Sequence, residues 1–149
     1  MRLTAFLITL LYISCTNNKN SSPIAGTWRL MSGTVIEKND TMITDYTKDK
    51  QFIKIINDSH FSFLGHDLNK GKDSATTFFS AGGGTYTLKD SAYTEHLEYC
   101  NDRQWEKNDF SFTITVHNDT LVQQGVEKVE GTGINRLNIE RYVRVKGVE

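Results

Sequence analysis

The chain has 149 residues, of which 38% are hydrophobic and 23% charged, with 17 basic and 18 acidic side chains. This length is enough for one domain with a hydrophobic core. Because the charge is nearly balanced and no basic stripe occurs, nucleic acid is not a predicted partner. The two cysteines do not form a Cys-x-x-Cys pair, so a thiolate metal site is not predicted either.

Residues 1–14 have the pattern of a secretory signal peptide. The apolar run Leu3–Ile13 is too short to span a bilayer, which takes about 20 residues. Ser14-Cys15 ends a segment that resembles a bacterial lipobox, in which the cysteine is lipidated and becomes the mature N-terminus. Tyr12 departs from that pattern, since a leucine usually stands there. An ordinary signal peptide cleaved nearby, with Cys15 discarded, is the alternative.

These features of the N-terminal segment predict that the chain is divided into three parts. Residues 15–22 are polar, lack periodicity and are expected to form a flexible tether from a lipidated Cys15. Residues 23–149 are expected to form the single domain. Cys100 would then have no partner for an intramolecular disulfide. The predicted location is the cell envelope, with the lipid anchoring the protein to the outer membrane on its periplasmic face or at the cell surface.

Period-two alternation predicts strands along most of the domain. The predicted strands are Ile24–Val35, Gln51–Ile56, His60–Leu64, the two halves of Gly82–Tyr99, Phe110–Val116, Thr120–Gln124 and Asn138–Val145. Asn-Asp-Thr/Ser triplets at 39–41, 57–59 and 118–120 are predicted hairpin tips. With no helical segment of ten residues, we expect an all-β, antiparallel up-and-down β-barrel of about eight strands, with a sandwich as the alternative.

The hairpin Gly82–Tyr99 contains the most informative side chain. Three glycines predict a tight or bulged start, and Lys89-Asp90-Ser91 predicts the turn. The residues in phase along its second strand are Tyr93, Glu95, Leu97 and Tyr99. We expect this face to turn inward, although the opposite phase would leave Glu95 outside. A buried carboxylate needs an arginine, a tyrosine hydroxyl or a polar ligand group as its partner.

No pattern in the chain predicts catalysis, a cofactor or a metal. His60 and His96 have the phase opposite to their aromatic neighbours and are expected to face solvent. A Gly-x-Ser-x-Gly nucleophile motif is missing, and Gly82–Gly84 precedes a strand without the lysine of a phosphate-binding loop. The protein is therefore not expected to be an enzyme.

The motif Gly26-Thr27-Trp28 resembles the Gly-x-Trp of the lipocalin and fatty-acid-binding superfamily. The ending Tyr142–Val145 is similar to the last strand of a bacterial lipocalin-like lipoprotein family, and the hairpin and Ser59–Phe63 look like its core. The resemblance implies a lipocalin-like barrel whose base is closed by Arg144, or by Arg141, lying across Trp28 through a cation–π contact.

Together these features favour a tethered carrier or sensor that binds a small apolar or amphipathic molecule. The candidate ligand-binding residues are Phe61, Phe63, Tyr86, Tyr93, Glu95, Leu97, Tyr99, Phe112 and Tyr142. The alternative is an envelope protein–protein interaction module with a solid core and binding loops at 65–80 and 101–108. An internal void of about 300 Å³ or more would favour the carrier.

Overall fold

The computed structural model describes residues 22–147, so the predicted signal peptide and lipidated Cys15 lie outside the described residues. The described strands are β1 Gly26–Glu37, β2 Asp40–Asp45, β3 Lys50–Ile56, β4 His60–Asp67, β5 Phe79–Lys89, β6 Ala92–Cys100, β7 Asn108–His117, β8 Thr120–Val129 and β9 Ile134–Arg144. A single-turn 3-10 helix, Arg103–Trp105, lies between β6 and β7. No helix within 22–147 is long and apolar enough to cross a membrane.

Eight of these strands close into a barrel. Each strand from β3 to β8 pairs antiparallel with the next one along the chain. β9 returns to β1, from Trp28 opposite Arg144 to Ile36 opposite Leu137, and the other edge of β1 pairs with β3. The predicted all-β, up-and-down, lipocalin-like architecture is therefore confirmed, and the sandwich alternative is wrong.

Strand β2 is an addition to the barrel that the sequence analysis did not predict. It pairs with Ser32–Glu37, on the same edge of β1 that pairs with β3 through Gly26–Arg29. Residues 46–49 connect β2 to β3. The first residues of β3 pair with β4 but not with β1. The wall is consequently divided between β2 and β3 at one end of the barrel.

The opposite end of the barrel is packed with large side chains. Its buried residues include Trp28, Leu30, Ile56, Phe61, Tyr93, Ile114, Leu121 and Tyr142. The Arg144 guanidinium lies 4.0 Å from the centre of the Trp28 ring and donates a hydrogen bond to the Ala25 carbonyl, at 2.8 Å. Arg144, and not Arg141, thus lies across the tryptophan as the resemblance implies. We call this the closed end.

The hairpin tips follow the predicted Asn-Asp triplets. Asn39 and Asn118 have positive φ angles of 73° and 54°, as the tight turns require. The Asn57 side chain instead accepts hydrogen bonds from the backbone N–H groups of Ser59 and His60. The prediction of turns at all three triplets is confirmed.

A glycine run changes the phase of the central hairpin. A side chain at Gly84 would overlap the His96 carbonyl oxygen, and one at Gly83 would lie 2.5 Å from the Phe61 carbonyl oxygen. The register shifts between these glycines, so that Gly84 pairs with Leu97 but Gly83 pairs with Tyr99. The predicted bulge is confirmed. Its extra residue reverses the alternation after Leu97.

Candidate ligand-binding cavity

A cavity of about 470 Å³ occupies the half of the barrel that faces away from the closed end. Aromatic side chains form much of its wall, among them Phe52, Phe63, Phe110 and Phe112, and Trp105 borders it from the 3-10 helix. The volume lies within the range of small-molecule binding sites. The barrel interior is therefore divided between a packed half and a hollow half.

Polar side chains from four strands separate these halves. This polar floor consists of Lys54, Glu95, Gln123, Glu140 and Tyr142, all of which border the cavity. The Lys54 ammonium donates to Glu95 Oε1 at 2.7 Å and to Gln123 Oε1 at 2.9 Å. It lies 4.0 Å from Glu140 Oε2, which accepts a hydrogen bond from the Tyr142 hydroxyl at 2.7 Å.

The carboxylates of the polar floor favour the charged form of Lys54. Burial alone would lower the pKa of Lys54, but the carboxylates of Glu95 and Glu140 more than offset this, and its pKa is raised. Glu95 thus has a buried partner, as a carboxylate on an inner face requires. That partner is a lysine and not the predicted arginine, tyrosine hydroxyl or polar ligand group.

A second polar cluster lies in the cavity wall, farther from the closed end than the polar floor. Glu127 accepts hydrogen bonds from Arg136 Nε and from Asn138 Nδ2, each at 2.8 Å. The Arg136 guanidinium also lies 5.1 Å from the centre of the Trp105 ring. Burial raises the pKa of Glu127 and outweighs the opposing effect of Arg136.

Five of the nine candidate ligand-binding residues border the cavity. They are Phe63, Glu95, Leu97, Phe112 and Tyr142. The inward phase predicted for Glu95 is correct, and the opposite phase is wrong. Alternation along each strand predicts the inward direction of these side chains but not the residues that surround them in space.

The other four candidates do not border the cavity, so the structure does not bring them together with the five that do. Phe61, Tyr86 and Tyr93 pack toward the closed end, where the Tyr86 hydroxyl donates to the Asn57 carbonyl at 2.7 Å. Tyr99 is 68% exposed on the outside of the barrel. The bulge in the central hairpin explains this, because it turns Tyr99 outward and leaves the partly buried Cys100 on the cavity wall.

Several residues of the cavity were not predicted. Lys54 lies between Phe52 and Ile56 in the inward-facing phase of β3, so the alternation itself indicates that Lys54 faces the barrel interior. Glu127 lies where β8 extends into the segment 125–135, which contains no recognisable motif, and Arg136 directly follows that segment on β9. These side chains come together only through the pairing of β8 with β9.

The histidines lie outside this site. His96 faces outward, as predicted, and its Nδ1 lies 2.8 Å from Asp109 Oδ1. His60 is also exposed, with its ring nitrogen 2.8 Å from the Ser59 hydroxyl. Over residues 22–147, no group of three His, Cys, Asp or Glu side chains is placed to hold a metal ion.

The fold and the site together define a lipocalin-like β-barrel with an internal cavity. Comparison of the sequence with protein-family models and with curated proteins found no match. Function is therefore inferred from the barrel and its cavity.

Proposed function

We propose that this protein binds a small amphipathic molecule inside its barrel and acts as a carrier or sensor rather than as an enzyme. The observation that carries the proposal is the cavity of about 470 Å³ that ends on a polar floor. Its volume lies above the lower limit of about 300 Å³ that is usual for small-molecule pockets.

The lining suits a molecule with one polar and one apolar part. Aromatic rings form the wall, and burying the apolar part of a ligand against them contributes about 25 cal/mol per Å² removed from water. The carboxylates and amides of the floor and of the Glu127 cluster supply hydrogen-bonding groups for the polar part. A few polar groups in an apolar pocket are the usual basis of ligand orientation.

The cavity argues against the alternative of an interaction module with a solid core. A barrel of eight strands has room for either packed side chains or one small ligand. Here the side chains fill the closed end but leave the cavity in the other half, and the loops that follow β4 and β6 border that hollow half. Those loops are better explained as the rim of a binding site than as a docking surface.

Native mass spectrometry of protein purified from its own host tests the proposal. Val35 lines the cavity, and Ile36, the next residue of β1, lies on the outer face. We expect a co-purifying small molecule with the wild type and with Ile36→Trp, and its loss in Val35→Trp, where the indole fills the cavity. Retention of the same molecule by folded Val35→Trp would contradict binding inside the barrel.

We further propose that the protein acts in the cell envelope, tethered through lipid on Cys15. The support is the lipobox-like segment and the polar run that follows it. We expect Cys15→Ser to release the protein from the membrane fraction of its host. Unchanged membrane association of Cys15→Ser would contradict the lipid anchor without affecting the proposed ligand site.

A further inference from the structure

The charged groups that border the cavity do not balance. Inside the barrel the carboxylates are Glu95, Glu127 and Glu140, and the cations are Lys54 and Arg136, which leaves one more carboxylate than cation. At the rim, Asp102 also borders the cavity, whereas Lys50 packs over the rings of Tyr46 and Phe78 and does not line it.

Inside the barrel, Glu140 is the carboxylate without a hydrogen bond from a cation. Lys54 is bonded to Glu95 at 2.7 Å, and Arg136 is bonded to Glu127 at 2.8 Å. Glu140 is left with a lysine 4.0 Å away, which is beyond hydrogen-bonding distance, and with the neutral hydroxyl of Tyr142. Among residues 22–147, no basic group lies closer to it. Its side chain is 18% exposed and borders the cavity.

This arrangement discriminates between ligands by charge. Interactions between charges are stronger in a site from which water is partly excluded. An anionic head group would meet the carboxylates of Glu95, Glu127 and Glu140, and both cations that could attract it are already paired. A cationic head group would instead approach Glu140, and the faces of the surrounding aromatic rings also attract cations.

We therefore propose that the cavity selects amphipathic molecules with a cationic head group, organic ammonium compounds, whose charge lies against Glu140. The apolar part of the ligand would lie among the aromatic residues of the wall. This inference rests on the proposed function, because it specifies which amphipathic molecule the cavity takes.

A series of three ligands with the same chain tests the charge selectivity. Isothermal titration calorimetry at pH 7 would compare n-octylammonium, 1-octanol and octanoate on the wild type. We expect octylammonium to bind about tenfold more tightly than octanol, a difference of about 1.4 kcal/mol, and octanoate to bind more weakly than octanol.

The variant Glu140→Gln tests whether Glu140 causes the charge selectivity. The amide oxygen can still accept the hydrogen bond from Tyr142, so the variant removes the charge and retains the shape. We expect the ratio of the octylammonium affinity to the octanol affinity to fall about tenfold in this variant. Asp58→Asn makes the same change at an exposed turn of the closed end and should leave the preference unaltered.

The outcomes separate the two proposals. Binding of octanoate as tightly as octylammonium would overturn the charge inference and leave the proposed function standing. A preference that persists unchanged in Glu140→Gln would also overturn it. If none of the three ligands binds the wild type, the proposed function fails, and this inference fails with it. The wild-type series decides the charge preference even if Glu140→Gln does not fold.

Discussion

The Lys54 ammonium lies 2.7 Å from the Glu95 carboxylate, and both side chains are buried inside the barrel. The two residues are 41 positions apart on β3 and β6, strands that do not pair with each other. Their ion pair therefore crosses the interior. With Gln123, Glu140 and Tyr142 it forms the floor on which the cavity ends.

Removal of the lysine should destabilise the protein strongly. Lys54→Met leaves the buried Glu95 without its cation, and breaking a buried ion pair in this way costs about 3–5 kcal/mol. The measurement is urea unfolding at pH 7. Adding Glu95→Leu to Lys54→Met should restore part of the lost stability, because the second change removes the unpaired carboxylate.

An exposed ion pair gives the matched control for this change. Lys128 and Glu130 form a pair with side chains that are 58% and 82% exposed. We expect Lys128→Met to alter the free energy of unfolding by less than about 1 kcal/mol. Equal losses in Lys54→Met and Lys128→Met would show that the floor contributes nothing specific.

The carboxyl group of Glu127 should make stability depend on pH. Its pKa is raised above the ordinary value of 4.5, so the folded protein holds this proton to a higher pH than the unfolded chain does. Stability due to this group therefore falls as the pH rises from 4.5 through the folded-state pKa. Glu127→Gln lacks this titration.

Urea unfolding of ligand-free protein between pH 4 and pH 7 would measure the effect. The stability of the wild type relative to Glu127→Gln should decrease as the pH rises across that range. A relative stability that increases with pH would show instead that Arg136 lowers the pKa of Glu127 below its ordinary value.

The glycine run should be intolerant of even the smallest side chain. Gly84→Ala would place a methyl group against the His96 carbonyl, which belongs to the backbone and cannot move away without opening the pairing of β5 and β6. We expect a loss of about 2 kcal/mol or more in thermal or urea unfolding. Gly131 has space around it, although its φ is +79°. Gly131→Ala should therefore cost only about 1–2 kcal/mol of backbone strain.

The contact between Arg144 and Trp28 should stabilise the closed end without affecting the cavity. Arg144→Lys keeps the charge but loses the planar group over the ring and the hydrogen bond to Ala25. We expect a loss of about 1–2 kcal/mol in unfolding free energy. Ligand affinity should be unchanged, and a lower affinity would indicate that the two ends of the barrel are coupled.

The barrel could be predicted because alternation is a local property of each strand. The inward phase of Glu95 follows from its neighbours Tyr93 and Leu97 in the same way. Tyr99 was misplaced because a bulge reverses the phase, and the three glycines indicate a bulge without fixing its position.

The composition of the polar floor could not be predicted in the same way. Lys54, Glu95 and Gln123 meet only when three separate strands close around one interior, so their contact depends on the shear of the barrel. The cavity itself reflects how far the closed-end side chains fill the interior, and no local pattern specifies that.

The most direct test of the account is the position of a neutral ligand measured by methyl NMR. Titration with 1-octanol should shift the methyl signals of Val35 and Leu97, which line the cavity, and leave those of the outward-facing Leu64 and Val126 unchanged. Shifts confined to Leu64 and Val126, or an absence of shifts at Val35 and Leu97, would contradict ligand binding inside the barrel.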